Sequence, residues 1–210
     1  MKPRYALSFV ASMIAIVSYL TFALLAFSRY PSAFSPIANW LSDLGSAELN
    51  PRGAIFYNVG VVVTGLALAL FFLGLSRWKT GDNQVQRVML LLTQGFGILG
   101  AVSMIMSGFY PITFADIHGF LSIALYVLLG TAFAFSVAAL RYHPECPRWL
   151  LAMGGVVALV DILSGIFHAV YALEWVTVTL FLCYVGLVSI GTNYLTSGRK
   201  TQPALTTARR

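Results

Sequence analysis

The chain has 210 residues, of which 59% are hydrophobic and 10% charged, and its 13 Lys+Arg against 7 Asp+Glu give a formal charge of +6. Roughly a quarter of a soluble domain is charged, so this composition excludes a water-soluble globular fold. No basic stripe or RNA-reading motif accompanies the positive charge, which leaves no nucleic-acid partner and assigns the cations to membrane topology and anionic lipid.

Six apolar runs follow one another, at about 5–27, 53–76, 86–108, 117–140, 149–171 and 174–195. Each is long enough to cross a hydrocarbon core of roughly 30 Å. The expected fold is therefore all-α: a polytopic bundle of six transmembrane helices in one domain, 1–195, with a basic flexible tail over 196–210. The first run is longer than the roughly 7–15 apolar residues of a signal peptide and is read as a retained helix. With the N-terminus inside, Lys2, Arg4, Arg77, Lys79, Arg87, Arg141, Arg148, Arg199, Lys200, Arg209 and Arg210 all fall on the inner side. Only Arg29 and Arg52 fall outside. This bias predicts a multi-pass protein of the plasma membrane with both termini cytoplasmic. Cys146 and Cys183 stand far apart, one in a polar loop and one in a span, and define no disulfide framework or cysteine zinc site.

The loop after the first span contains NWLSDLG (39–45). Ser35 can cap a short helix with Pro36 at its first position, and Gly45 can sit just past its end. In such a helix Ile37, Trp40, Leu41 and Leu44 share an apolar face, with Asn39, Ser42 and Asp43 opposite. The expectation is a helix lying in the outer membrane interface. Asn50-Pro51 then provides a second cap-and-proline start for the next span.

Polar groups within spans are expensive and raise functional hypotheses. The fourth span places Asp116 and His118 at its outer entry, Asp116 also being suited to cap that helix. In the fifth, Asp161, Ser164 and His168 are spaced i, i+3, i+7 and share one face, with Asp161 near mid-membrane. Asn58 lies one turn into the second span, Tyr110 ends the third, and Glu174 is in the outer turn before the sixth. Asn39, Ser42, Asp43, Asn58, Tyr110, Asp116, His118, His168 and Glu174 all map to the outer side. Asp43 is expected either to pair with Arg52, to hold the loop, or to join the site.

Two histidines with one or two carboxylates can hold a divalent metal such as zinc and activate a water on it, with His118, His168 and Asp43 as the candidate ligands. A histidine–carboxylate pair can also act as a general acid or base without metal. No HExxH, HxxxH, GxSxG or Walker loop occurs.

SDLG (42–45), the NP at 50–51, YNVG (57–60) and GFYP (108–111) followed by His118 resemble a prokaryotic six-helix membrane family catalogued as domain of unknown function 998. The resemblance covers about residues 5–195 and implies a fold and a compartment, without an activity. A looser likeness is to the alkaline-ceramidase-like membrane hydrolases, which use a Ser, an Asp and three His around zinc; Ser42, Asp43, His118 and His168 are residues of those types. That group's HxxxH pair and seventh helix are missing here.

Three functions are open to this chain. One is an enzyme, hydrolase or transferase, acting on a lipid or amphiphile from the outer side through Ser42, Asp43, Asp161, His118 and His168. Another is a non-catalytic scaffold or lipid-binding protein. The third is a small proton-coupled transporter or channel with Asp161 and Ser164 lining its path. Membrane lipids are the expected partners in each.

Overall fold

A backbone in hydrocarbon has no water to bond, so each apolar run satisfies its amides within its own helix. The computed structural model describes residues 5–167 and 170–196. Its six long helices are α1 (Leu7–Phe27), α2 (Ala54–Gly74), α3 (Gln84–Phe109), α4 (Ala115–Leu140), α5 (Arg148–Ile166) and α6 (Tyr171–Thr196). At about 1.5 Å per residue all reach roughly 28 Å or more, enough to cross a bilayer core. All six carry the length and apolarity of membrane spans; the chain is an all-helical, multi-pass membrane protein.

The helix ends carry information that the apolar runs did not. The second span tightens at its far end into a 3-10 turn, Leu75–Trp78. α5 stops at Ile166, a turn short of the expected 171. α6 starts at Tyr171, so Glu174 belongs to its first turn rather than to the preceding loop. Only Thr196 of the tail falls among the described residues, and so does neither Lys2 nor Arg4.

Neighbours in sequence pack as neighbours in space, α1 on α2 through to α5 on α6, and α6 returns to α1. The six helices thus form a ring. Small residues set the spacing within it. At Gly130 of α4, an added Cβ would lie 2.9 Å from the Ala158 carbonyl and 3.0 Å from the Asp161 Cβ. That close approach clamps Asp161 of α5 against α4.

The centre of the ring is filled unevenly. Towards the end that carries the Leu75–Trp78 turn, Phe72, Phe133 and Tyr184 are 1% exposed or less. Phe133 packs on Phe72, Phe181 and Tyr184 at centroid distances of 6.1, 5.9 and 5.2 Å. Tyr184 shares a hydrogen bond of 3.0 Å with Ser136, so its hydroxyl is not stranded in the apolar centre. This aromatic layer leaves the polar space at the other end.

That other end is covered by the loop between α1 and α2. A single turn at 35–39 is followed by extended Trp40 (φ −68°, ψ 145°) and a 3-10 helix, Leu41–Gly45, the loop helix. The continuous helix expected from the caps does not form, for a readable reason. The Trp40 and Leu41 amides that would have continued it donate instead to the side chains of Asp43 and Glu174. The expected apolar face is split accordingly: Leu41 and Leu44 are buried, whereas Ile37 is 82% exposed. Gly45 is the last residue of the helix, where its bare Cα lets the Asn58 side chain approach.

Asn50 ties this loop to the bundle. Fully buried, its Nδ2 donates to the Ala26 carbonyl at the end of α1 (3.1 Å) and to the Leu44 carbonyl (3.0 Å). It staples the loop rather than capping α2 with its side chain; the residue before α2 is Gly53. Asn50→Ala removes both bonds and strands two carbonyls, a loss of about 1–3 kcal/mol. The thermal midpoint of the purified protein in non-ionic detergent should fall by several degrees; an unchanged midpoint would mean that the staple contributes nothing.

Candidate functional site

Glu174 is the residue around which the site is arranged. One turn into α6, its Oε2 accepts the Leu41 N–H at 2.7 Å, and the Ser42 N–H and hydroxyl also face the carboxylate. A charged acceptor in a dry place holds its donors strongly. The neighbouring Trp175 donates its indole N–H to the Asn39 carbonyl at 3.1 Å. α6 therefore grips the start of the loop helix and the residue pair before it, and brings Ser42 to the cavity inside the ring.

Beneath Ser42 lies a cavity of about 60 Å³. His118 and Tyr126 of α4, Asp161 of α5 and Glu174 of α6 line one side of it, and Tyr19, Tyr57 and Asn58 of α1 and α2 line the other. Phe181 of the aromatic layer also lines it. Tyr19 and Tyr57 share a hydrogen bond of 3.2 Å across the α1–α2 seam. A second cavity, about 200 Å³, adjoins it through Ser42, His118, Ser122, Tyr126 and Glu174. Its remaining lining is mostly apolar and includes Trp40, Ile112, Val170 and Leu173.

His118 has a fixed chemical orientation. Its Nδ1 lies 2.9 Å from the Tyr110 carbonyl. A carbonyl can only accept, so Nδ1 carries the proton and Nε2 of the neutral ring carries the free lone pair. That is the arrangement of a general base or a metal ligand. Tyr110 acts here through its backbone; its ring lies against Phe114 at 5.8 Å.

Asp161 is the unusual group. It is 1% exposed, it lines the smaller cavity, and neither carboxyl oxygen has a hydrogen-bond partner among the described residues. Buried polar groups are nearly always bonded, so each exception requires an account. Ser164, on the same face, is differently occupied. It donates to the Val160 carbonyl at 2.8 Å and meets Thr177 of α6 at 2.5 Å, a strut between α5 and α6 that also borders the larger cavity.

The remaining candidates stand apart. Asp43 is buried but lines neither cavity; its Oδ2 takes the Trp40 N–H at 3.0 Å. It therefore holds the loop. Burial pushes its carboxyl above the usual carboxylate range, against the opposing pull of the Trp40 N–H and the Asn39 side chain. Asn39 accepts the Ser35 N–H at 3.0 Å, and Asn58 donates to the Gly45 carbonyl at 3.0 Å. Asp116 is exposed in the first turn of α4, where its charge suits the helix N-terminus, but Phe114 is the capping residue and Asp116 makes no cap bond. His168 lies outside the described residues. Among the described residues, no three His, Cys, Asp or Glu side chains group as a metal site would require.

The residue-by-residue reading missed Tyr19, Tyr57, Ser122, Tyr126 and Thr177. For α4 a signal was present: His118, Ser122 and Tyr126 recur at i, i+4, i+8, a polar stripe on one face. Tyr19 and Tyr57 gave none, because a lone tyrosine in an apolar run reads as packing.

Residues 13–193 match the family described as "Protein of unknown function (DUF998)", and the chain belongs to that family. No curated protein matches the chain, and no solved structure does either.

The Asp43 environment gives a pH test. Its folded pKa is raised, so its favourable contribution is present below the unfolded value near 3.9 and lost as pH rises through the folded value. Asp43→Asn keeps an acceptor for Trp40 and removes the charge. The variant's thermal midpoint should exceed that of the wild type at pH 8, and the gap should close as the pH approaches about 4. A gap independent of pH would contradict the assigned cause.

Proposed function

We propose that this member of the family is a membrane enzyme of the hydrolase or transferase type, acting on a lipid or other amphiphile at the loop-helix end of the bundle. The observation that carries the reading is the convergence of His118, Ser42, Ser122, Asp161 and Glu174, drawn from the loop and three helices, on two adjoining cavities. His118 Nε2 is the general base. It takes a proton from a water or from a hydroxyl in the cavity, and the freed oxygen attacks the substrate's ester or amide carbonyl; the carbonyl's C–O or C–N bond then breaks, and His118 returns the proton to the leaving alcohol or amine. The larger cavity, with its apolar lining, accommodates the first part of the substrate's chain. The layer of aromatic rings, which reaches the smaller cavity at Phe181, speaks against a continuous path through the bundle and so against transport.

Eleven basic residues at one end against two at the other support placing the loop helix outside, both termini in the cytoplasm, and the protein in the plasma membrane. The site then meets amphiphiles of the outer leaflet.

The test is turnover. Wild-type protein in nanodiscs is incubated with a panel of ester- and amide-linked amphiphiles, and products are read by mass spectrometry. His118→Gln should lower the rate by about 10²–10⁴-fold, the usual worth of a positioned base. An inert wild type, or a variant as fast as the wild type, would remove the enzymatic reading and favour a lipid-binding or scaffold role.

A further inference from the structure

Asp161 and its surroundings specify the charge of the group that the smaller cavity receives. A carboxyl group 1% exposed with both oxygens unbonded is an incomplete site, since burial without a partner is costly whichever protonation state is adopted. It lines the cavity together with Glu174, so two carboxyl groups share one small space. Glu174 has its donors in the loop helix; Asp161 has none. Among the described residues no Lys or Arg lines either cavity, so none of them supplies a permanent positive charge to balance the carboxyl groups. Three tyrosines, Tyr19, Tyr57 and Tyr126, line the same cavity. Carboxyl groups that share a cavity with tyrosine rings, with no Lys or Arg among the described lining residues, are the complement of an organic cation.

We propose that the smaller cavity binds an ammonium group, held by Asp161 and by the rings of Tyr19, Tyr57 and Tyr126, with the attached chain running through the larger cavity. The ligand class is a cationic amphiphile: an amine-bearing lipid or long-chain amine rather than an anionic or neutral one. A volume of about 60 Å³ fits a small ammonium head or a few waters and is too small for a phosphate-linked or sugar head group. The apolar side chains Val61, Met104, Leu125, Leu129, Val178 and Phe181 also line the cavity, which suits an organic cation better than an inorganic one. The inference rests on the enzymatic reading only in placing the ligand in the same cavity.

The measurement is binding to purified protein in non-ionic detergent, followed by thermal shift and by the fluorescence of Trp40, which lines the larger cavity. The probes are dodecylamine, dodecanol, dodecyl sulfate, and sodium, potassium and ammonium chlorides. Dodecylamine should stabilise the wild type and saturate at a concentration at least tenfold below any effect of dodecanol or dodecyl sulfate. Asp161→Asn, which keeps the side chain's size, should weaken dodecylamine binding at least tenfold and leave the response to dodecanol unchanged. Ammonium chloride acting where sodium and potassium do not would support the same head-group chemistry. Equal response to the three dodecyl probes in the wild type would overturn the proposal without any variant. So would undiminished dodecylamine binding by Asp161→Asn, or selective binding of sodium or potassium. His118→Gln should still bind dodecylamine, so a failure of turnover and a failure of cation binding are separately visible.

Discussion

One carboxylate holds the polar end of this molecule together. Glu174 takes the Leu41 N–H at 2.7 Å, and that bond, with the Trp175 indole on the Asn39 carbonyl, joins the last helix to the loop after the first. Without it the Leu41 amide would be free to continue the preceding turn, and Ser42 would have no reason to face the ring's interior. The side chain thus shapes the backbone, in place of the more familiar order in which backbone geometry positions the side chain. Asn50 and Trp175 then fix the two edges of the loop.

The two ends of the bundle divide the physical work. At one end, aromatic rings and a tryptophan–threonine bond of 2.7 Å between Trp78 and Thr192 close the interior. At the other, polar side chains from α1, α2, α4, α5 and α6 meet in a space that the aromatic layer leaves open. Aromatic rings fill the first end, whereas at the second Asp161 keeps both carboxyl oxygens without a hydrogen bond among the described residues. A carboxyl group kept unpartnered inside a membrane bundle is tolerated because a ligand, or water in its absence, can complete it.

Much of the fold was legible in the sequence because the bilayer enforces it. Six apolar runs could only be helices, and the SDLG, YNVG and GFYP stretches already resembled the family to which the chain belongs. The site was legible by end of the bundle, but not by contact. His118, Glu174, Ser42 and Asn58 stood out for lying at one end and Asp161 as a carboxyl group deeper in its span, and all five line one cavity. Asp43 was chosen on the same ground and turns instead to the loop backbone. Position along a span cannot tell these cases apart; that depends on rotation about the helix axis and on which amide lies nearest. The loop helix was misjudged for a related reason. Caps at Ser35 and Pro36 favour a helix locally, but the competing acceptor, Glu174, is 133 residues from Leu41 in sequence.

The account depends most on Glu174 holding the loop helix over the cavity, and amide hydrogen exchange across residues 39–46 measures that directly. In the wild type the Leu41 amide should be strongly protected, and Glu174→Ala should expose it together with the Ser42 amide while α2 and α3 keep their protection. Equal exchange in the two proteins would contradict the account, because the loop would then be held by something other than this carboxylate.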